Sequence, residues 1–152
     1  MHEQPRTSYH HGRHESRLVS TRLSGSKLAC GTKGIALVVE DDWLLRQSLV
    51  DDLVSDGWTV LEAESGETAL AEMGDDLGID LLVTDIRLGG PIDGWDVAEA
   101  LRQKHAELPV IYISANTALA SRQVAGSIFL TKPYVSSQLL EACRALRVPR
   151  AH

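Results

Sequence analysis

The sequence predicts an α/β fold of the doubly wound kind, a parallel β-sheet covered by helices on both faces. Three observations predict it. From residue 34 onward, hydrophobic runs of strand-forming residues alternate with stretches of helical periodicity, five times over. The strands do not repeat at hairpin spacing, which argues for crossover connections and a parallel sheet. At 152 residues the chain has the length of one ordinary domain with a single core.

Taken in order, the first strand reads at 35–39 (IALVV) and leads into a helix at 43–55, where Leu45, Leu49 and Leu53 share a face. Asp42 is placed to cap that helix and to favour its dipole, and Gly57 stands where a helix end wants a left-handed residue. The second strand is 58–63 (WTVLEA), followed by a helix at 66–74; the third is 80–84 (DLLVT), followed by a helix at 94–105. The fourth strand is 109–113 (PVIYI), the pattern at 117–124 is a shorter helix, and the fifth strand is 127–130 (SIFL). A last helix runs over 136–147, with Ser136 able to cap it. Cys143 lies on its apolar stripe with Leu139, Ala142 and Leu146 and reads as a small core residue; Cys30 and Cys143 show no metal-binding spacing. Trp43, Trp58 and Trp95 read as packing residues or partly exposed anchors, Trp95 being a candidate for partner contact.

Charge divides the chain. The formal net charge is −6, yet residues 1–33 hold six basic and two acidic side chains, so the remainder carries −10. The first segment is rich in Ser, Gly and His and lacks apolar periodicity, so it cannot offset its ordering entropy and is expected to be a disordered basic extension. Its histidines, among them His10, His11 and His14, read as a solvated polar tail rather than a metal site, and no motif there supports nucleic-acid binding. The expected organisation is an extension at 1–33, one domain at 34–148 and a short tail at 149–152. No apolar run approaches the roughly 18 residues that span a bilayer, and the N-terminus is too charged for a signal peptide, so membrane insertion is not expected and a cytoplasmic protein is.

Ligands of such sheets bind outside the carboxyl ends of the strands. Glu40 and Asp41 sit at that end of the first strand, Asp85 at the end of the third, Ser114 at the end of the fourth, and Lys132 just past the fifth. With the first and third strands adjacent, these side chains converge. Like charges 4 Å apart near a protein surface repel by about 4 kcal/mol, and a hard ion such as Mg²⁺, which takes a few carboxylates together with water and phosphate oxygens, removes that repulsion.

The motifs "LVVEDD", "LLVTDIRL", "IYISA" and "FLTKPY", in this order, resemble the receiver domain of two-component response regulators. That family has the flavodoxin-like doubly wound fold, here with a five-stranded parallel sheet, and takes a phosphoryl group from a histidine kinase. The resemblance covers about residues 34–148. It implies that Asp85 is the phosphorylated nucleophile and that Asp41, Asp85, the Arg87 carbonyl and, through water, Glu40 hold Mg²⁺. It further implies that Lys132 and Ser114 contact the phosphoryl oxygens, that Ser114 and Phe129 form the switch, and that the Lys132-Pro133 bond is cis. Phe129, the chain's only Phe, reads equally as plain core. Charge neutralisation and positioning are what phosphoryl transfer needs, and one divalent ion with one lysine supplies both.

The sequence departs from that family in two places. After Asp85 the usual short turn becomes "LGGPIDG", with one additional residue. Only seventeen residues separate Ser114 from Lys132, so the fourth helix is expected to be short or irregular. The chain is read as a stand-alone receiver that works through a sensor histidine kinase or a phosphotransfer protein and an unknown downstream protein, with no direct DNA binding. Two alternatives are a pseudo-receiver that binds partners without phosphate and an aspartate-nucleophile phosphatase. The phosphatase needs an acid two residues after its nucleophile, and that position is Arg87.

Overall fold

In a computed structural model, residues 32–72, 78–115 and 122–146 are described. Five strands form one parallel sheet: β1 (Ile35–Val39), β2 (Thr59–Ala63), β3 (Leu81–Asp85), β4 (Val110–Ser114) and β5 (Ile128–Thr131). Their order across the sheet is β2-β1-β3-β4-β5. The helices among the described residues are α1 (Trp43–Ser55), α2 (Gly66–Glu72), α3 (Gly94–Lys104) and α4 (Ser136–Ala145). The chain leaves β1 toward β2 on one side and returns to β3 on the other, so β1 and β3 flank the point where the winding reverses.

Central strands read as continuous apolar runs because both of their faces are covered. On one face Leu37, Val39, Leu82 and Tyr112 pack under Val97, Ala98 and Leu101 of α3; on the other Val38, Val83, Ile111 and Ile113 pack under Leu49 and Leu53 of α1 and Leu139 of α4. Trp95 and Trp58 are buried, and Trp95 packs against Tyr112 with ring centroids 4.4 Å apart, so it belongs to the core and not to a partner surface. Cys143 is buried too, and burial pushes its thiol up to about 11, as an inert core residue requires.

The elements differ from the sequence reading mainly at their ends. Asp85, Ser114 and Thr131 belong to their strands, since a polar side chain at a strand end does not stop the backbone ladder. Trp58 precedes β2 because its N–H bonds to Leu53 O and finishes the turn after α1, where Gly57 has φ of +98°. Leu45, placed on the apolar face by spacing, is 39% exposed, so α1 buries only Leu49 and Leu53. Ser136 is not the cap of α4. It is the first helical residue and donates to Asp52 Oδ1 at 2.9 Å, while Val135 holds the cap position and its N–H bonds to Gln138 Oε1. The expected N-terminal extension lies outside the described residues except for its end, as does most of the helical pattern at 117–124; residues 122–127 run as a loop, with Gly126 at φ of +72°.

Candidate functional site

The crevice is built where the chain reverses its winding. The ladder of β1 ends at Val39, and Glu40 N–H bonds to Ala63 O at 3.1 Å, carrying the chain one residue past the strand before it turns into α1. Asp42 caps that helix, its Oδ1 accepting from the N–H groups of Leu44 and Leu45 at 2.9 and 3.2 Å, as its position predicts. Capping turns Asp42 away from its two acidic neighbours. Glu40 points inward and is 1% exposed, and Asp41 is exposed at the rim. Asp85, the last residue of β3, is 7% exposed.

These three side chains offer carboxylate oxygens within 4.8 Å of one another. Lys132 enters from beyond β5, its Nζ donating to Asp85 Oδ2 at 2.7 Å and to Glu40 Oε2 at 3.4 Å. Its backbone N–H bonds to Ser114 O at 2.9 Å, which ties the end of β5 to the end of β4, and the Lys132-Pro133 bond is cis. Ser114 is buried at the end of β4, beside Asp85 on the neighbouring strand. Arg87 is exposed, and its N–H bonds to Asp85 Oδ1 at 3.1 Å, so the residues after β3 fold back over the nucleophile candidate. Phe129 is half-buried on β5, opposite Tyr112 in register and 6.5 Å from Trp95 between ring centroids.

Burial and the nearby Asp85 charge push the Glu40 carboxyl up to about 7, against the opposing pull of Lys132. The same burial works against the charge of Lys132, but its bonds to Asp85 and Glu40 outweigh it and raise its pKa. Even with Glu40 partly protonated near neutral pH, the acids of the crevice outnumber the single Lys132 ammonium and leave a surplus of negative charge. All the donors are hard oxygens, which suits a divalent cation of the magnesium or calcium type rather than zinc or copper.

Sequence spacing missed three supports of this crevice. Arg46, one turn into α1, reaches back to Glu40 O at 2.7 Å and across to Glu62 Oε1 on β2 at 3.2 Å. The signal available was that long helical side chains lean toward the helix N-terminus, here toward the acidic turn. Gly94 begins α3 with its N–H on Ile86 O at 2.8 Å, and a Cβ there would collide with Asp85 O. Glu67 of α2 accepts the Ile92 N–H at 3.2 Å and so holds the "LGGPIDG" loop from outside.

A family model described as the response regulator receiver domain matches residues 36–144, most of the chain. The chain belongs to the response regulator receiver domain family. Among solved structures, a response regulator receiver protein from Sinorhizobium medicae shares 35% identity with this receiver at a TM-score of 0.70, covering 74% of this chain and 94% of that one. The chemotaxis response regulator CheY4 of Vibrio cholerae, at 22% identity and a TM-score of 0.67, shares the fold, covering 76% of this chain and 100% of its own. Among curated relatives, the response regulator MprA of Mycobacterium ulcerans is 36% identical over 72% of this chain and 48% of its own length. A probable transcriptional regulatory protein of Picosynechococcus is 32% identical over 76% of this chain and 49% of its own. The receiver thus spans about half the length of the curated relatives it matches. It is a signalling domain of two-component systems, and no helix among its described residues is long and apolar enough to cross a membrane.

Proposed function

We propose that this receiver is a Mg²⁺-dependent phosphoacceptor whose nucleophile is Asp85, loaded by a histidine kinase or a phosphotransfer protein. The observation that carries the reading is the placement of Asp85, buried at the end of β3 with Lys132 Nζ 2.7 Å from Oδ2 and two further carboxylates within 4.8 Å. The hard-oxygen donor set fits the ion: Asp41, Asp85 and the Arg87 carbonyl would hold it directly and Glu40 through water. When bound, Mg²⁺ supplies the charge neutralisation that phosphoryl oxygens need.

In the transfer, an Asp85 carboxylate oxygen forms the new bond to phosphorus as the phosphorus–nitrogen bond to the donor imidazole breaks. The imidazole nitrogen leaves with the electron pair and then takes a proton. Lys132 moves from the Asp85 carboxylate to a phosphoryl oxygen, which keeps its charge within the crevice throughout. The Ser114 hydroxyl donates to a second phosphoryl oxygen. Its inward motion vacates space beside β5 and lets the half-buried Phe129 ring move toward the core, biasing a two-state element that a downstream protein reads.

The direct test is intact-mass spectrometry after incubation with acetyl phosphate and Mg²⁺. The wild-type chain is expected to gain one phosphoryl group, and Asp85→Asn to fold but gain none. Incorporation by Asp85→Asn at the wild-type rate would place the acceptor elsewhere.

A further inference from the structure

We propose that Arg46 and Glu62 form a positioning pair for the acidic crevice: the guanidinium, oriented by Glu62, fixes the peptide joining Glu40 to Asp41 and thereby the direction in which both carboxylates meet the ion. The proposal rests on reading the crevice as a Mg²⁺ site. Arg46 donates through Nη1 to Glu40 O at 2.7 Å and through Nε to Glu62 Oε1 at 3.2 Å. Both side chains are well enclosed, at 18% and 15% exposure, so the bonds are sheltered from competing water. The β1 ladder has already ended at Val39, so the Glu40 carbonyl takes its bond from a side chain and not from a strand.

That carbonyl belongs to the planar unit that also contains the Asp41 N–H. Holding its oxygen fixes the plane, and the plane sets where the Asp41 α-carbon, from which the side chain departs, is placed. On the other side of the same residue, Glu40 N–H is fixed to Ala63 O, and its carboxylate is held by Asp42 N–H at 3.2 Å and by Lys132. Arg46 therefore restrains ψ of Glu40, one of the two soft rotations between the two acids. A planar guanidinium serves both partners at a set angle, which a flexible ammonium cannot. A simple staple between α1 and β2 would support the fold without touching ion affinity, and this difference makes the proposal testable.

The experiment is calorimetric titration of the full chain with Mg²⁺, together with amide hydrogen exchange over residues 40–42 without Mg²⁺. Arg46→Gln is expected to weaken Mg²⁺ binding about ten-fold, the range in which ligand-orienting partners act, and to speed exchange of those amides. Arg46→Lys is expected to recover part of the affinity by restoring the bond to the carbonyl alone. Glu62→Gln should weaken binding a few-fold, and the double variant should be no weaker than Arg46→Gln, because Glu62 acts only through Arg46. If Arg46→Gln does not fold, Arg46→Lys and Glu62→Gln carry the test. Unchanged Mg²⁺ affinity in folded variants whose melting temperature falls, or additive losses in the double variant, would overturn the positioning role. A wild-type chain that binds no Mg²⁺ overturns the metal reading, and this proposal with it.

Discussion

Glu40 is enclosed to 1% exposure beside Asp85, and this environment holds its proton up to about 7, well above the value near 4.5 expected for the unfolded chain. A carboxyl whose folded pKa is raised stabilises the fold fully below the unfolded value, and that stabilisation is lost as pH rises through the folded value. The metal-free receiver should therefore lose stability on the order of 3 kcal/mol between about pH 4.5 and 7 from this group alone. Urea denaturation in the presence of a chelator reads it directly. Glu40→Gln, which keeps one acceptor oxygen for the Asp42 N–H but loses the acceptor facing Lys132 and cannot ionise, should flatten the profile over that window; a variant with the wild-type slope would assign the pH dependence to other groups.

At the scale of elements, the β3–α3 junction has almost no freedom. Gly94 lets the first turn of α3 lie against the Asp85 carbonyl, where any Cβ would collide. Gly94→Ala should cost about 2–3 kcal/mol, as overpacking does, and should also slow phosphorylation because the atom displaced belongs to Asp85. Equal stability in urea would show that the junction has slack. Farther along, two arginines fasten the β4–β5 connection to α3. Arg122 meets Asp93, Asp96 and Glu99 at 3.6, 3.0 and 3.0 Å, and Arg102 bonds to Ala125 O at 2.8 Å. Exposed ion pairs contribute little to global stability, so Arg122→Ala should change it by less than about 1 kcal/mol. The same variant should speed hydrogen exchange of amides 122–127, because local order and global stability are separate quantities. These supports were not legible in the sequence. Spacing places residues on a strand or a helix, whereas the Gly94 approach and the Arg122 contacts depend on how separate elements meet. The central strands β1, β3 and β4 are legible because burial on both faces makes them continuous apolar runs, whereas the ends of β3, β4 and β5 fall one residue beyond the apolar run because Asp85, Ser114 and Thr131 are polar yet still pair.

For the whole molecule, the proposed metal site predicts a link between Mg²⁺ and the fold. An ion that binds only the folded chain at 100 times its Kd adds about 2.7 kcal/mol. Millimolar Mg²⁺ should then raise the melting temperature of the receiver by several degrees, and Asp41→Ala should abolish that response while leaving the metal-free protein as stable or slightly more so. A melting temperature that Mg²⁺ does not move would favour a receiver that binds partners without phosphate. That Glu40, Asp41, Asp85 and Lys132 lie close together was readable in advance, since strand ends in a doubly wound sheet converge by topology. What topology leaves open is the orientation of each group, which depends on side-chain contacts such as the Arg46 bond to the Glu40 carbonyl. One exposed ring near that crevice has a practical consequence. Of the chain's three tryptophans, Trp58 and Trp95 are buried while Trp43, one residue past the Asp42 cap, is 70% exposed. A charged collisional quencher such as iodide therefore reaches mainly one indole, and the receiver carries its own optical reporter, without a dye, at the rim of the acidic crevice.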